Sequence, residues 1–278
     1  MEIERREITG RGVSDYRNEN GLLVCGICGK PKQQRLPNPF TEDGEPSSVV
    51  PVLCDCEMLA EEEESRRKER ECAKMLAEKR RTECFKRSAI FKGCTFTSSD
   101  NKSPEQERLC KEFAETFDPS DPDGLLLWGG VGTGKSFMSS CIANAVIDFG
   151  HSAFQVDMAT IATIMESSFE KRLANLDRIL GYDLLCIEDL GAERCTEYMT
   201  GMVYSVIDGR YKAGKPMIVT TNKMLAAMEK AAPSDPWCRI YDRLIERCYP
   251  IEFSVPRRKV GAMSMRAGMR TRLKVTNL

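Results

Sequence analysis

The feature that most constrains this chain is a stretch near its middle, which reads GGVGTGKS from Gly129 to Ser136. It fits the pattern G-x-x-x-x-G-K-[ST], and it lies between an apolar run ending at Trp128 and a helix-length segment ending at Gly150. A strand before this pattern and a helix after it are the context in which it forms a phosphate-binding loop. The sequence therefore predicts that backbone N–H groups in this stretch hold the phosphates of a nucleotide.

Two side chains of this loop have separate predicted roles. Lys135 is expected to reach the β- and γ-phosphates of ATP, and the hydroxyl of Ser136 is expected to bind Mg²⁺. The other members of the predicted binding set act mainly through their backbone, and they are Gly129, Gly130, Val131, Gly132, Thr133, Gly134 and Phe137. The expected ligands of this site are therefore ATP and Mg²⁺.

Around the loop, short apolar runs alternate with segments long enough to form helices. The runs lie at residues 125–128, 153–156, 184–187, 217–220 and 251–253. Buried parallel strands read as continuous apolar runs, and the segments between them are long enough for crossover helices. The alternation predicts an α/β fold, with a parallel sheet flanked by helices.

Polar side chains follow two of these runs. Glu188 and Asp189 end the run that begins at residue 184, and Asn222 ends the run that begins at residue 217. Carboxylates at a strand end near such a loop hold Mg²⁺ and polarise the attacking water, so Glu188 is predicted to bind Mg²⁺ together with Ser136. An amide at Asn222 lies in the ligand crevice of such a sheet and is expected to orient the water.

Four cysteines in the first 56 residues are spaced like metal ligands. Cys25 and Cys28 form a C-x₂-C pair, and Cys54 and Cys56 form a tighter C-x-C pair. Four thiolates form a closed tetrahedral zinc site, which would supply folding energy to a region poor in large apolar side chains. The alternative is that these cysteines are unligated thiols in a reducing compartment.

Composition divides the chain into four segments. Residues 1–56 form the predicted zinc-binding module, and residues 57–88 form a charged linker helix that contains neither Gly nor Pro. A coiled-coil partner surface is the alternative role for that helix. Residues 89–255 form the predicted ATPase domain. Residues 256–278 form a basic tail without acids, which is either a solvated tail or a contact to the phosphate backbone of DNA.

Composition also excludes several classes of protein. The 41 Lys and Arg nearly cancel the 42 Asp and Glu, for a net charge of -1, so a globally basic nucleic-acid binder is not expected. No apolar run reaches the ~18 residues of a membrane span, and the N-terminus has no apolar segment typical of a secretory signal. The 13 cysteines at scattered spacing do not suit a disulfide scaffold, and a cytoplasmic location is predicted.

Four segments together resemble the AAA+ ATPases of the bacterial helicase-loader group, which contains the DnaC and DnaI loaders and the transposition helper IstB. They read GLLLWGGVGTGKS, LLCIEDLGAERCTEY, GKPMIVTTN and RIYDRLIERC. The resemblance implies Walker A roles for the loop, Walker B roles for Glu188 and Asp189, and a sensor 1 role for Asn222. It also implies an arginine finger that enters the ATP site of a neighbouring subunit. Arg243 is the first candidate for this finger and Arg239 the second.

The resemblance implies a function as well. The chain is expected to load the replicative DNA helicase onto single-stranded DNA, with the N-terminal module docked on the helicase hexamer and the ATPase domains joined in a homo-oligomer. The alternative within the group is a transposition helper that binds duplex DNA and a transposase. A small-molecule P-loop kinase, or an adaptor that holds nucleotide without turnover, are alternatives from other classes.

The first Walker B acid departs from the usual pattern of this group, because it is usually Asp and here it is Glu188. The second acid, which is usually Glu in AAA+ proteins and often Asp in this group, is Asp189. Each carboxylate is displaced by about one methylene, and a misplacement near 1 Å can cost ~10²-fold in rate. The sequence therefore predicts that this chain binds Mg-ATP and hydrolyses it slowly.

Overall fold

The computed structural model describes residues 14–37, 46–100, 102–166, 168–191 and 196–254. The chain divides into two compact units, Met1–Ala73 and Lys74–Leu278. The division falls within one long helix, α1 (Asp55–Cys84). The basic tail predicted at 256–278 lies outside the described residues.

The N-terminal unit contains two short antiparallel hairpins. β1 (Tyr16–Arg17) pairs with β2 (Leu23–Val24), and β3 (Gln33–Pro37) pairs with β4 (Pro46–Pro51). Among its described residues, the buried apolar side chains are Val24, Cys25 and Cys54. Since two of these three are cysteines, apolar burial alone gives this unit very little core.

Helix α1 occupies most of the segment 57–88 that the sequence predicts as a charged helix, and it begins and ends a few residues earlier. Its exposed ion pairs include Glu62–Arg66 and Glu64–Lys68, both spaced four residues apart. Solvent screens such exposed pairs, so each stabilises the helix only weakly. The helix ends at the buried Cys84, and two short 3₁₀ turns at residues 89–91 and 96–98 lead into the next helix.

The second unit contains a five-stranded sheet with the order β6-β7-β8-β5-β9. Its strands are β5 (Gly124–Gly129), β6 (Ala153–Asp157), β7 (Leu184–Leu190), β8 (Met217–Thr221) and β9 (Cys248–Phe253). Each strand contains one of the predicted apolar runs, and every pairing between neighbours is parallel. The predicted α/β fold is therefore confirmed.

Helices cover both faces of this sheet. They are α2 (Pro104–Glu115), α3 (Lys135–Asp148), α4 (Met158–Met165), α5 (Phe169–Gly181), α6 (Glu197–Ala213), α7 (Leu225–Glu229) and α8 (Cys238–Arg247). Successive strand residues face opposite sides of a sheet, so Leu127 packs with α3 in one apolar cluster and Leu126 packs with α6 in the other. None of the helices that the structure describes is both long and apolar enough to cross a membrane.

A fully buried arginine, Arg210 on α6, connects the backbone segments around β7 and β8. Its guanidinium donates to the carbonyl oxygens of four residues, which are Leu180, Tyr182, Asp183 and Pro216. Burial lowers the pKa of Arg210 to about 10. The side chain remains charged at neutral pH, and it fixes the loops that precede two strands of the sheet.

Candidate nucleotide-binding site

The loop between β5 and α3 has the backbone conformation of a phosphate cradle. Gly129, Gly132 and Gly134 have φ angles of 136°, 75° and 106°, in a region that residues with a Cβ rarely adopt. A Cβ at Gly129 would also lie 2.3 Å from the carbonyl oxygen of Phe253 in β9. Helix α3 begins at Lys135, so its partly positive N-terminus adjoins the loop.

Lys135 is only 5% exposed. Its Nζ donates to the carbonyl oxygens of Gly129 at 2.9 Å and Gly130 at 2.7 Å, and to Oδ1 of Asn222 at 2.8 Å. Burial lowers the pKa of this ammonium, whereas the charges of Asp189 and Glu188 raise it. Three acceptors fill the donor capacity of an ammonium group, so a phosphate that binds Lys135 has to displace at least one of them.

The strand order places Asn222 between the loop and the acidic strand. β8, which Asn222 follows, lies between β5 and β7. Neighbouring strands are about 4.8 Å apart, so the acids of β7 stand roughly 10 Å to one side of the loop strand. The structure thus brings Asn222 into direct contact with Lys135, and it separates the two acids from the loop by one strand.

Glu188 is buried, and both of its carboxylate oxygens accept hydrogen bonds. Oε1 accepts from Ser139 Oγ at 2.6 Å and from Gln155 Nε2 at 2.9 Å, and Oε2 accepts from Thr220 Oγ1 at 3.0 Å. A carboxylate offers about four acceptor positions, so one position is left for a metal ion or its bound water. These three neutral donors offset part of the cost of removing this carboxylate from water.

Asp189 stands in a different environment, although it is the next residue. It is exposed, its φ angle is 52°, and its N–H donates to Thr220 Oγ1 at 2.9 Å. The register of β7 against β8 shifts between Ile187 and Leu190, which places Asp189 in an irregular part of the strand. A left-handed conformation at a residue other than glycine costs on the order of 1 kcal/mol and is concentrated at functional sites.

The two candidate arginine fingers both lie on α8. Arg243 Nε pairs with Asp208 Oδ1 at 3.2 Å, and its guanidinium lies 4.0 Å from the centre of the Tyr211 ring. Arg239 is exposed, and it makes no ion pair with any residue that the structure describes. Arg243 is therefore engaged within its own chain, whereas the guanidinium of Arg239 is open to other molecules.

The four N-terminal cysteines converge on one point. Their Sγ atoms all lie within 4.8 Å of one another. The Sγ of Cys56 lies 3.3 Å from that of Cys25, 3.2 Å from that of Cys54 and 3.6 Å from that of Cys28. Four thiolates at about 2.3 Å from a zinc ion would lie roughly 3.8 Å apart in a tetrahedron. The donor set and its spacing therefore fit a tetrahedral zinc site.

Polar contacts around this cluster hold its backbone in place. Lys32 Nζ lies 2.7 Å from carboxylate oxygens of both Asp15 and Glu57. Asp15 accepts a hydrogen bond from the N–H of Gly26, and Glu57 accepts one from the N–H of Cys54. Because each acid contacts the backbone of one cysteine pair, this network orients both halves of the cluster.

Comparisons with known proteins agree with this geometry. Residues 46–265, which are more than half of the chain, match the family described as IstB-like ATP binding protein. The replicative helicase loader DnaC of Escherichia coli (strain K12) is 25% identical over 138 residues, which are 48% of this chain and 54% of that protein. DnaC of Buchnera aphidicola subsp. Schizaphis graminum is 27% identical over 132 residues, which are 44% of this chain and 52% of that protein. The chain thus spans about half the length of the curated relatives it matches.

Two solved structures share the fold of the second unit. A crystal structure of the DnaC helicase loader aligns with a TM-score of 0.54 at 18% identity, covering 60% of this chain and 100% of that chain. A crystal structure of DnaI aligns with a TM-score of 0.52 at 23% identity, covering 62% of this chain and 93% of that chain. The family match and the phosphate-binding loop lead to one conclusion: the chain belongs to the IstB-like ATP-binding family, within the DnaC/DnaI/IstB group of AAA+ ATPases.

Proposed function

We propose that this protein is a slow ATPase that uses Mg-ATP as an assembly switch to load a replicative DNA helicase onto single-stranded DNA. The observation that carries the proposal is the 2.8 Å contact between Lys135 and Asn222. It joins the phosphate-binding loop to the end of the neighbouring strand, so a bound γ-phosphate can act on both at once. The relatives named as replicative helicase loaders support the cellular role.

The proposed ATP site assigns a separate task to each side chain. The loop N–H groups bind the phosphates, and Lys135 exchanges its carbonyl partners for β- and γ-phosphate oxygens. The hydroxyl of Ser136 and the remaining acceptor position of Glu188 would hold Mg²⁺, which neutralises the charge between these phosphates. The exposed Asp189 then polarises the attacking water, and Asn222 orients it.

Slow turnover follows from the lengths of the two acids. Glu188 is one methylene longer than the usual Asp, and its Oε1 already accepts a hydrogen bond at 2.6 Å from Ser139, one turn beyond Ser136 on α3. Asp189 is one methylene shorter than the Glu that is usual in AAA+ proteins. Because a 1 Å misplacement can cost ~10²-fold in rate, we expect the exchange E188D/D189E to raise kcat by up to that factor. A wild-type kcat typical of fast ATPases, measured without any partner, would contradict this proposal.

The environments of the two arginines favour Arg239 as the residue that acts on a neighbouring subunit. Arg243 would first have to leave Asp208 and Tyr211, whereas Arg239 has no ion pair to break among the described residues. Mixing inactive variants tests this. Lys135→Ala lacks an ATP site and Arg239→Ala lacks the finger, so the mixture should regain hydrolysis at interfaces that combine an intact loop with an intact Arg239. A mixture with Arg243→Ala in place of Arg239→Ala is the matched control, and recovery only in that control would reassign the finger to Arg243.

The zinc-type N-terminal unit is the proposed contact to the helicase. With zinc bound, the four cysteines would hold the two hairpins and the start of α1 in one arrangement. The test is capture of the purified host helicase by the tagged chain, with and without Mg-ATP, for the wild type and for Cys25→Ser. Capture by the wild type that is lost in Cys25→Ser supports the loader function.

The family match supports a second candidate, a transposition helper that binds duplex DNA and a transposase. The same tagged chain is then tested with the purified transposase and with duplex DNA. Capture of the transposase together with duplex DNA, without capture of the helicase, would replace the loader function with this candidate.

A further inference from the structure

A cavity of about 170 Å³ lies beside β6, which is an edge strand of the sheet. Four consecutive residues of β6, 154–157, line it. Because consecutive strand residues face opposite sides of a sheet, a cavity lined by all four lies along the free edge of the strand. The end of α1 and the segment after it form one wall, and α5 forms another. None of the lining residues belongs to the phosphate-binding loop.

The lining of this cavity carries one more positive charge than negative, because three cations stand against two carboxylates. Lys86, Arg87 and Arg178 are exposed, and none of them forms an ion pair with a residue that the structure describes. The two acids of the lining have other partners. Glu83 accepts a hydrogen bond from the hydroxyl of Tyr182 at 2.6 Å, and Asp157 caps α4 by accepting one from a backbone N–H at 2.6 Å. The rim is therefore suited to an anion, and guanidinium groups bind phosphate well.

The floor of the cavity contains a buried amide with one unused acceptor. Gln155 is 5% exposed, and its Nε2 donates to Ser140 Oγ and to Glu188 Oε1, both at 2.9 Å. Its Oε1 accepts no hydrogen bond from any group that the structure describes. The orientation of the amide is fixed, because a flipped amide would place its oxygen against the carboxylate of Glu188. A buried acceptor without a partner is unfavourable. Because this oxygen has almost no exposed surface, a ligand hydroxyl would provide the missing donor after a small shift of the side chain toward the cavity.

We propose that this cavity binds a small phosphomonoester that carries a hydroxyl donor, and that its occupancy is transmitted to Glu188 through Gln155. The phosphate lies at the cationic rim, and a hydroxyl donates to Gln155 Oε1. Since the same amide donates to Glu188 Oε1, a ligand that pulls on Gln155 changes the hydrogen bonding of that carboxylate. The transmission step rests on the proposed role of Glu188 at the ATP site, whereas the binding step does not.

Ribose 5-phosphate is the probe for the binding step, titrated by calorimetry into the full chain. The loop is first saturated with Mg²⁺ and a non-hydrolysable ATP analogue, so that the probe cannot occupy it. The Lys135→Ala variant is a second background in which the loop does not compete. The wild type should bind the probe. The rim variant R87E/R178E should bind it at least about tenfold more weakly, because two charge-assisted contacts are lost.

Two controls make this result specific to the cavity. The variant K74E/K230E changes charge by the same amount at exposed lysines outside the lining, and its affinity should stay within about twofold of the wild type. Inorganic phosphate has no ribose hydroxyl to reach Gln155 and should bind at least about tenfold more weakly than the probe. The binding proposal is overturned by absence of binding to the wild type, by equal affinity in R87E/R178E, or by equal affinity for phosphate alone.

The transmission step is tested through the affinity for Mg-ATP. Saturating ribose 5-phosphate should change the dissociation constant of Mg-ATP by about fivefold or more in the wild type. In Gln155→Met the probe should still meet the intact rim, but this change should vanish. If Gln155→Met does not fold, the same comparison is made with R87E/R178E. An unchanged dissociation constant in the wild type would overturn transmission alone, whereas failure to bind Mg-ATP at all would overturn the proposed function and leave the binding step standing.

Discussion

The two units of this chain are stabilised by different kinds of groups. The second unit buries two apolar clusters, one on each face of its sheet, and burial of apolar surface contributes roughly 25 cal/mol per Å². In the described part of the N-terminal unit, only Val24, Cys25 and Cys54 are buried apolar residues. Two units of one chain can thus depend on unrelated forces, one on packing and the other on its cysteines.

Ion pairs do not make up this difference. Lys32 joins Asp15 and Glu57 in the N-terminal unit, but the three side chains are 20%, 34% and 37% exposed. Solvent screens pairs this exposed, so they add little stability. The four converging thiols are therefore the feature from which the N-terminal unit can gain most stability.

The largest expected effect comes from removing metal. Chelation, or Cys25→Ser, should unfold the N-terminal unit, because zinc binding to four thiolates contributes about 10–16 kcal/mol at neutral pH. Both tryptophans of the chain, Trp128 and Trp237, lie in the second unit. Their fluorescence and the binding of Mg-ATP should therefore remain unchanged while limited proteolysis cuts the N-terminal unit.

The exposed Cys72, which lies outside the cluster, provides the matched control. The Cys72→Ser variant should retain bound zinc, and its N-terminal unit should remain resistant to protease. The zinc assignment fails if a chelator releases no zinc from the purified chain. A change in Trp fluorescence that accompanies the loss of the N-terminal unit would contradict the claim that the two units are stabilised separately.

The second largest effect concerns a polar group inside the well-packed unit. Arg210→Met leaves four carbonyl oxygens, one buried and three partly buried, without this donor, which should lower the free energy of unfolding by about 3–5 kcal/mol. Arg210→Lys keeps the charge but loses the planar donor geometry, so it should fall between the wild type and Arg210→Met. Urea unfolding followed by Trp fluorescence measures this, and Lys230→Met is the exposed control. A loss in Arg210→Met no larger than in the control would show that packing alone holds these loops.

Mg-ATP should stabilise the second unit and not the N-terminal unit, because its proposed site lies entirely in the second unit. At one hundred times the dissociation constant, a ligand stabilises the folded state by about 2.7 kcal/mol. The urea midpoint of Trp fluorescence should rise accordingly, while the protease resistance of the N-terminal unit should not change. Lys135→Ala should abolish the rise. Equal stabilisation of both units would indicate that the nucleotide also acts on the N-terminal unit.

The sequence predicts most of the sheet because four of its five strands are buried on both faces. Each of the five apolar runs became a strand, and the segment after Ser136 became α3. The order of the strands could not be predicted from the sequence, because apolar runs do not indicate which strands are neighbours in the sheet. For this reason the sequence could not show that β8, which Asn222 follows, lies between the loop strand and the acidic strand.

The surroundings of the acids were the least predictable part of the site. Ser139, Gln155 and Thr220 lie on three different elements, and only the folded sheet brings them to Glu188. A signal existed for Gln155, which is a polar residue inside an otherwise apolar run. No feature of the sequence indicates the left-handed backbone of Asp189, which lies where the register between β7 and β8 shifts.

The smallest expected effect concerns the ion pairs of Asp208, which lie where α6 meets α8 in the second unit. Lys212 and Arg243 both contact Asp208, and the Lys212 hydrogen bond is the main cause that lowers the pKa of this carboxyl below its usual range. A lowered pKa stabilises the fold above the unfolded-state value near 3.9, and this contribution is lost as pH falls through the folded-state value. Asp208→Asn should therefore lower the free energy of unfolding by about 0.5–1 kcal/mol at pH 7, because the pairs are partly exposed. The difference from the wild type, followed by Trp fluorescence in urea, should shrink below pH 4. A difference that stays constant with pH would mean that Asp208 acts through packing, and Arg243 would then be less firmly held in its own chain than its contacts indicate.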